Sequence, residues 1–192
     1  VVCASLFLFV SFIYIYMHTY TNSGTTLSCA LFMGPNRAEL VKYLITKGAA
    51  VDVASYNGTS NLISACANED ADLRVVKMIV EKSHSSDVVN FRIRAKTPEW
   101  RVIYMMSKLA VKSRISQSTL MKSLAERQGR TALHYAARRG DLALVELLLS
   151  LGADPSVRDD MGRHVRDACK SFPELRGVLK KRERKMKLRG AT

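Results

Sequence analysis

The sequence predicts an all-α fold, a helical solenoid of about four repeated units, one of them divergent, closed by a C-terminal capping helix. Three observations predict it. Glycines open similar stretches at a fixed interval, Gly162 lying 33 residues after Gly129, and a period of that size marks stacked repeats. Between them, GRTALHYAARRGDLALVELLLSLGAD reads as two helices split by a glycine, and their apolar faces cannot be buried within one unit. Finally, 47% hydrophobic and 24% charged residues exclude a chain disordered throughout.

The elements follow in chain order. Residues 1–21 begin with VVCASLFLFVSFIYIYMHTY, an uncharged run long enough to span a bilayer, with Tyr14, Tyr16 and Tyr20 as an interfacial belt. A second reading stands beside the membrane helix. IYIYMHTYT can be encoded by a nearly pure TA/CA dinucleotide run, as translated non-coding repeat would be. The array is expected over 22–170. Its first unit, TTLSCALFMGPNRAELVKYLITKGAAVD, carries Leu27, Ala30, Leu40, Val41, Leu44, Gly48 and Ala49 at repeat positions. The second opens at Gly58, with Leu62, Ala65, Val75, Val76, Ile79 and Val80 facing a core.

Gly58 and Gly129 are 71 residues apart, two periods plus five, so 87–128 is expected to be a divergent repeat. Its first helix starts near Thr97-Pro98 and its second carries Leu120, Met121 and Leu124. In the next unit Thr131 caps a helix whose Ala136 and Ala137 admit a close neighbour. Gly140 ends it in a positive-φ turn, and Gly152 ends the second helix, which carries Leu144, Val145, Leu147, Leu148 and Leu149. Gly162 begins an eroded last unit. Residues 171–192 form a capping helix and basic tail, with a capping box at Ser171 and Glu174 and with Leu175, Val178 and Leu179 docked on the array.

The unit from Gly129 resembles the ankyrin repeat, in Gly129, Thr131, Leu133, His134, Ala136, Ala137, Gly140, Val145, Leu148, Gly152, Ala153 and Asp154. Ala132 stands where the family has Pro. The resemblance extends to Gly58, Leu62 and Ala65 and to the 25–52 unit. It implies a non-catalytic protein-binding array with a concave surface of hairpin tips and first-helix faces. Carried over residue by residue, that surface comprises the tips Tyr56, Asn57, Asp160 and Met161, and the first-helix positions Asn68, Glu69, Tyr135, Arg138 and Arg139. The resemblance also assigns His134 a structural role, bracing turns through Thr131.

The residues themselves support no enzyme, cofactor or metal centre. Cys3, Cys29, Cys66 and Cys169 lie far apart without zinc spacing, and they read as reduced, mostly buried thiols of an intracellular protein. The glycines lack a phosphate-loop lysine. The cluster Glu69, Asp70 and Asp72 lacks calcium-loop spacing and reads as a solvated loop. Trp100, Tyr104, Met105 and Met106 read as core, with a partner anchor as the alternative.

Residues 1–86 are neutral, with 6 basic and 6 acidic side chains, while 87–192 carry 24 against 11 and hold the whole net charge of +13. The tail residues Lys180, Lys181, Arg182, Arg184, Lys185, Lys187 and Arg189 fit a nuclear-import signal, a contact with an anionic surface, or a solvated helix end. Specific nucleic-acid binding lacks an interleaved basic and aromatic groove. The expected localisation is cytoplasm and/or nucleus, or the membrane if residues 1–20 anchor the chain. The lack of an initiator Met adds an alternative function, a fragment of a larger or membrane-tethered protein in which the array regulates or localises another domain.

Overall fold

A computed structural model describes residues 26–32, 37–68, 70–115 and 118–189. The apolar run 1–21 lies outside the described residues, and among those that are described no helix is long and apolar enough to cross a membrane. The described helices are α1 (Thr26–Phe32), α2 (Arg37–Thr46), α3 (Asn61–Ala67), α4 (Leu73–Lys82), α5 (Pro98–Lys112), α6 (Thr119–Ala125), α7 (Ala132–Arg139), α8 (Leu142–Ser150), α9 (Val165–Ala168) and α10 (Pro173–Arg189). No strand forms among these residues, only the isolated antiparallel bridges Ala54–Ser60 and Arg158–His164.

The helices pair as the repeat requires: α1 on α2, α3 on α4, α7 on α8 and α9 on α10. The first helices then pack in the order α1, α3, α7, α9. Their ends are set by ordinary capping chemistry. Ser60 caps α3, accepting from the Ile63 N–H at 3.3 Å, and Asp72 caps α4, accepting from the Arg74 N–H at 2.8 Å. Asp141 caps α8, accepting from the Leu144 N–H at 3.0 Å. Small and apolar residues then fill the space between layers. Leu62, Ala65, Cys66, Leu133, Ala136, Ala137, Val145 and Leu148 are all buried in one continuous core with Leu31, Val165, Leu175 and Leu179.

Residues 87–128 do form the two expected helices, with Thr97 at the N-cap and Pro98 in the first turn of α5. They are nevertheless not a repeat of the stack, because α3 packs directly on α7 and α5 and α6 pack on each other. Backbone pairing explains this. Each unit carries a finger closed by one hydrogen bond: Ser55 N–H to Thr59 O at 3.0 Å, and Asp159 N–H to Arg163 O at 2.9 Å. In the finger between them, Ile93 N–H donates to Arg130 O at 3.0 Å and Gly129 N–H donates back to Ile93 O at 2.9 Å. The same bond thus spans 4 residues in the outer fingers and 37 in the middle one, an excess of 33. The α5–α6 hairpin is an insertion at the tip of a finger, and its length equals one repeat.

The loops after the second helices confirm this register. Asp52 accepts from the His84 N–H at 2.9 Å, and one unit later Asn90 accepts from the Asp154 N–H at 2.8 Å. Asn90 therefore does for the third stacked unit what Asp52 does for the second. Close approach between fingers demands a glycine at 58. A Cβ there would lie 1.9 Å from the Arg94 carbonyl oxygen, and φ is +83°.

At the C-terminus, α10 buries Leu175 and Leu179 with Val178 half-buried, as expected of a cap. Its start differs from the expected capping box. The Phe172 carbonyl accepts from the Arg176 N–H at 3.1 Å, so Phe172 occupies the N-cap and Ser171 lies one residue outside it. The Phe172 ring instead covers the turn at Gly140, where φ is +76°.

Candidate interaction surface

The hairpin α5–α6 lies over the finger row and changes what that row offers to a partner. The Tyr104 side chain of α5 is buried, and its hydroxyl donates to the Asn57 carbonyl in the preceding finger at 3.1 Å. Burial pushes that phenol up to about 12. Trp100, half-buried, sits one turn away with its ring centroid 5.5 Å from that of Tyr104. On the other side Lys108 bonds Gln128 Oε1 at 3.1 Å and faces Asp160 at 3.5 Å. Arg92 also reaches Asp160, at 3.1 Å. One helix is therefore tied to the fingers on both sides of its own.

This arrangement sorts the expected tip residues. Tyr56 and Met161 are exposed. Asn57 is spent on its own turn, where its Oδ1 accepts from Ser55 Oγ at 2.6 Å and from the Thr59 N–H at 3.0 Å. Asp160, though exposed, is paired with the inserted segment.

The first-helix positions sort in the same way. Tyr135 was expected on the exposed face but is only 8% exposed. The guanidinium carbons of Arg130 and Arg138 lie 6.0 and 5.8 Å from its ring centroid, so cations cover the aromatic face. Arg138 itself is exposed. Arg139 is half-buried, donating to the Cys66 carbonyl at 3.4 Å and facing Asp141 at 3.8 Å. Asn68 braces the preceding unit by donating to Leu31 O at 2.9 Å. Glu69 lies outside the described residues.

Ionic contacts fix the other end of the insertion. Glu126, just beyond α6, meets Arg130 and Arg163, each at 2.8 Å. Asp159, buried in the last finger, takes Arg163 at 2.8 Å. Although burial pushes the Asp159 carboxyl upward, the Arg163 bonds prevail and hold it below its ordinary value. Each charge in this cluster has an opposite partner, so a polar network can persist at a semi-buried junction.

His134, Cys66 and Cys169 have no nucleophile-and-base arrangement around them, while Cys3 and the Cys29 side chain lie outside the described residues. His134 Nδ1 accepts from the Thr131 N–H at 3.2 Å and lies 3.0 Å from Thr131 Oγ1, which is the expected brace. Nε2 is buried without a hydrogen-bond partner, and burial lowers the imidazole pKa to about 4. Cys66 and Cys169 are free and buried, and burial drives the Cys66 thiol up to about 12. Among the described residues no cluster of His, Cys, Asp and Glu has metal-binding geometry. Asp72 of the expected acidic loop is occupied by Arg74 at 2.8 Å and by capping α4.

The basic residues of α10 are solvent-facing: Lys180, Lys181, Arg182, Arg184 and Lys185 are all exposed. The side chains of Lys187 and Arg189 lie outside the description. On the opposite side of α10, Glu183 is buried beneath Arg166 and His164.

With this geometry in hand, the comparisons are specific. The family model described as Ankyrin repeat matches residues 128–160. The fold is similar to that of the ankyrin repeat domain of Bcl-3, described as a unique member of the IkappaB protein family, with a TM-score of 0.55 and 22% identity over 83% of this chain and 52% of that one. Residues 128–160 match an ankyrin repeat, and the stack around them has the fold of an ankyrin repeat domain. A further likeness is to BRCA1-associated RING domain protein 1 of Caenorhabditis elegans, 32% identical over 93 residues. That match covers 48% of this chain and 13% of that protein's length. Ankyrin repeats are in general non-catalytic modules for protein interaction. Within this chain, the inserted hairpin sets the middle finger apart from the outer two.

Of the residues expected in the core, Tyr104 is buried and Trp100 half-buried, but Met105 and Met106 face solvent, as the alternative reading of a partner anchor requires. Val102, Met105, Met106 and Leu109 are between 53% and 59% exposed. The signal was present: α5 carries large apolar residues on two opposite sides, Tyr104 on one and Val102, Met105, Met106 and Leu109 on the other, with its charges between them.

Proposed function

We propose that the protein is a non-catalytic ankyrin-repeat module that binds another protein through its finger tips and first-helix faces. The observation that supports this most is the exposure of Tyr56, Arg138 and Met161 on braced elements. A preformed surface loses little entropy on binding, so a few aromatic and arginine contacts suffice for affinity. The unpaired buried thiols Cys66 and Cys169 favour a reducing compartment, cytoplasm and/or nucleus. The exposed cations of α10 suit an anionic surface. A second reading is an array that regulates or localises another domain of a longer or membrane-tethered protein. It is favoured by the match to 13% of a relative's length.

Affinity capture with the whole chain tests the main reading against the triple variant Tyr56→Ala, Arg138→Glu, Met161→Ala. A partner lost by the variant, with far-UV circular dichroism and Tm unchanged, supports it. A partner retained by the variant refutes it.

A further inference from the structure

The outward face of α5 is a ladder of Val102, Met105, Met106 and Leu109, spaced i, i+3, i+4 and i+7. All four are more than half exposed, while Tyr104 on the opposite side anchors the helix to the array. A helix with apolar residues on two opposite sides is normally covered on both, and this one is covered on one. Contiguous exposed apolar residues on a helix mark an interaction site. Two methionines at its centre give the patch an unbranched, adaptable surface.

Charge selects the occupant. From residue 92 to 128 the chain holds nine Lys or Arg against Glu99 and Glu126; Glu126 is paired with Arg130 and Arg163, Arg92 and Lys108 face Asp160, and Arg101 and Lys112 are exposed. On a helical wheel Arg101, Lys108 and Lys112 share one edge of the ladder. A second copy of this chain would bring the same basic edge and another net charge of +13 against it. The basic residues border one edge only, and Glu99 stands on the other, an arrangement poorly matched to a flat anionic membrane.

We propose that this ladder docks an acidic amphipathic helix of a partner protein, its apolar residues on Met105, Met106 and Leu109 and its carboxylates on the Arg101–Lys112 edge. The inference rests on the interaction function proposed above and places a second contact apart from the finger tips. Helix-on-helix recognition of this kind is read by anchors at i, i+3, i+4 and i+7.

The test uses the whole chain and a fluorescent synthetic helix with leucines at that spacing flanked by glutamates. A lysine-flanked peptide of the same apolar pattern serves as control. The account expects the glutamate peptide to bind at least about tenfold tighter than the control. It also expects Met105→Glu/Leu109→Glu to abolish that binding while helix content and Tm hold, since both side chains face solvent. Tyr56→Ala/Met161→Ala should leave peptide binding intact. Equal binding by the double-glutamate variant, or equal affinity for both peptides, overturns the docking proposal. Neither result bears on the finger-tip reading, which the capture experiment decides. Ladder-dependent binding to phosphatidylserine vesicles, or ladder-dependent dimerisation in light scattering, would likewise overturn it in favour of a membrane or a second copy.

Discussion

The buried phenol of Tyr104 gives the most quantitative handle on the inserted hairpin. It supplies one hydrogen bond, 3.1 Å to the Asn57 carbonyl, and a fully buried ring outside the continuous repeat core. Tyr104→Phe removes the bond and leaves the Asn57 carbonyl facing an apolar edge, a cost of about 1 kcal/mol. Tyr104→Ala also removes the ring and leaves a cavity, costing about 3–5 kcal/mol by analogy with other buried aromatics. Because the α5–α6 hairpin packs mainly on itself, these costs should appear as local opening rather than global unfolding. Hydrogen exchange reads this directly. Amides of α5 and α6 should exchange about fivefold faster in Tyr104→Phe and far faster in Tyr104→Ala. Those of α3 and α7 should stay within error of the parent. Equal acceleration in α5 and α7 would refute the reasoning, for it would mean that the hairpin and the stack open as one unit.

Three further outcomes follow from single sites. His134 has a pKa near 4 in the fold against 6.5 in the unfolded chain, so its stabilising contribution is complete above pH 6.5 and is lost as pH falls towards 4. That loss is about 3 kcal/mol, and urea midpoints should show it in the parent and lack it in His134→Gln. Gly140→Ala forces a left-handed alanine, costing about 1–2 kcal/mol, and drives a Cβ to within 2.4 Å of the Phe172 ring. Calorimetry should show a lowered Tm, of which adding Phe172→Ala recovers only the steric part. Cys66 should resist iodoacetamide at neutral pH in the native protein and react once urea unfolds it, since its thiol ionises near 12.

The stacked units were legible because their chemistry is local. Thr131, His134 and Gly140 close one helix among themselves, and Asp141 starts the next, so the pattern survives without knowledge of the neighbours. The insertion was legible as helices, through Thr97-Pro98 and the apolar run that follows, but its place was not. Its 33 residues match the repeat length, so counting along the chain returns a repeat where backbone pairing shows a long finger. Exposure failed for a related reason. Tyr135 is covered by Arg130 from the preceding turn and by Arg138 one helical turn on, while Asp160 is claimed by Arg92 and Lys108. Only the Arg138 contact could be anticipated from spacing within one helix. The Arg130 contact depends on the path of the turn before the helix, and the Asp160 contacts depend on which finger lies beside which, which is set by the insertion.

The central claim is that α3 stacks directly on α7 with the hairpin held outside. Methyl-resolved nuclear Overhauser spectroscopy tests it most directly, with labels on the alanine, leucine and isoleucine methyls. The account predicts cross-peaks between methyls of α3 (Leu62, Ile63, Ala65) and those of α7 (Leu133, Ala136, Ala137). Cross-peaks from both sets to α5 or α6 methyls such as Ile103 and Leu124, with none between α3 and α7, would contradict it and restore 87–128 as a stacked repeat.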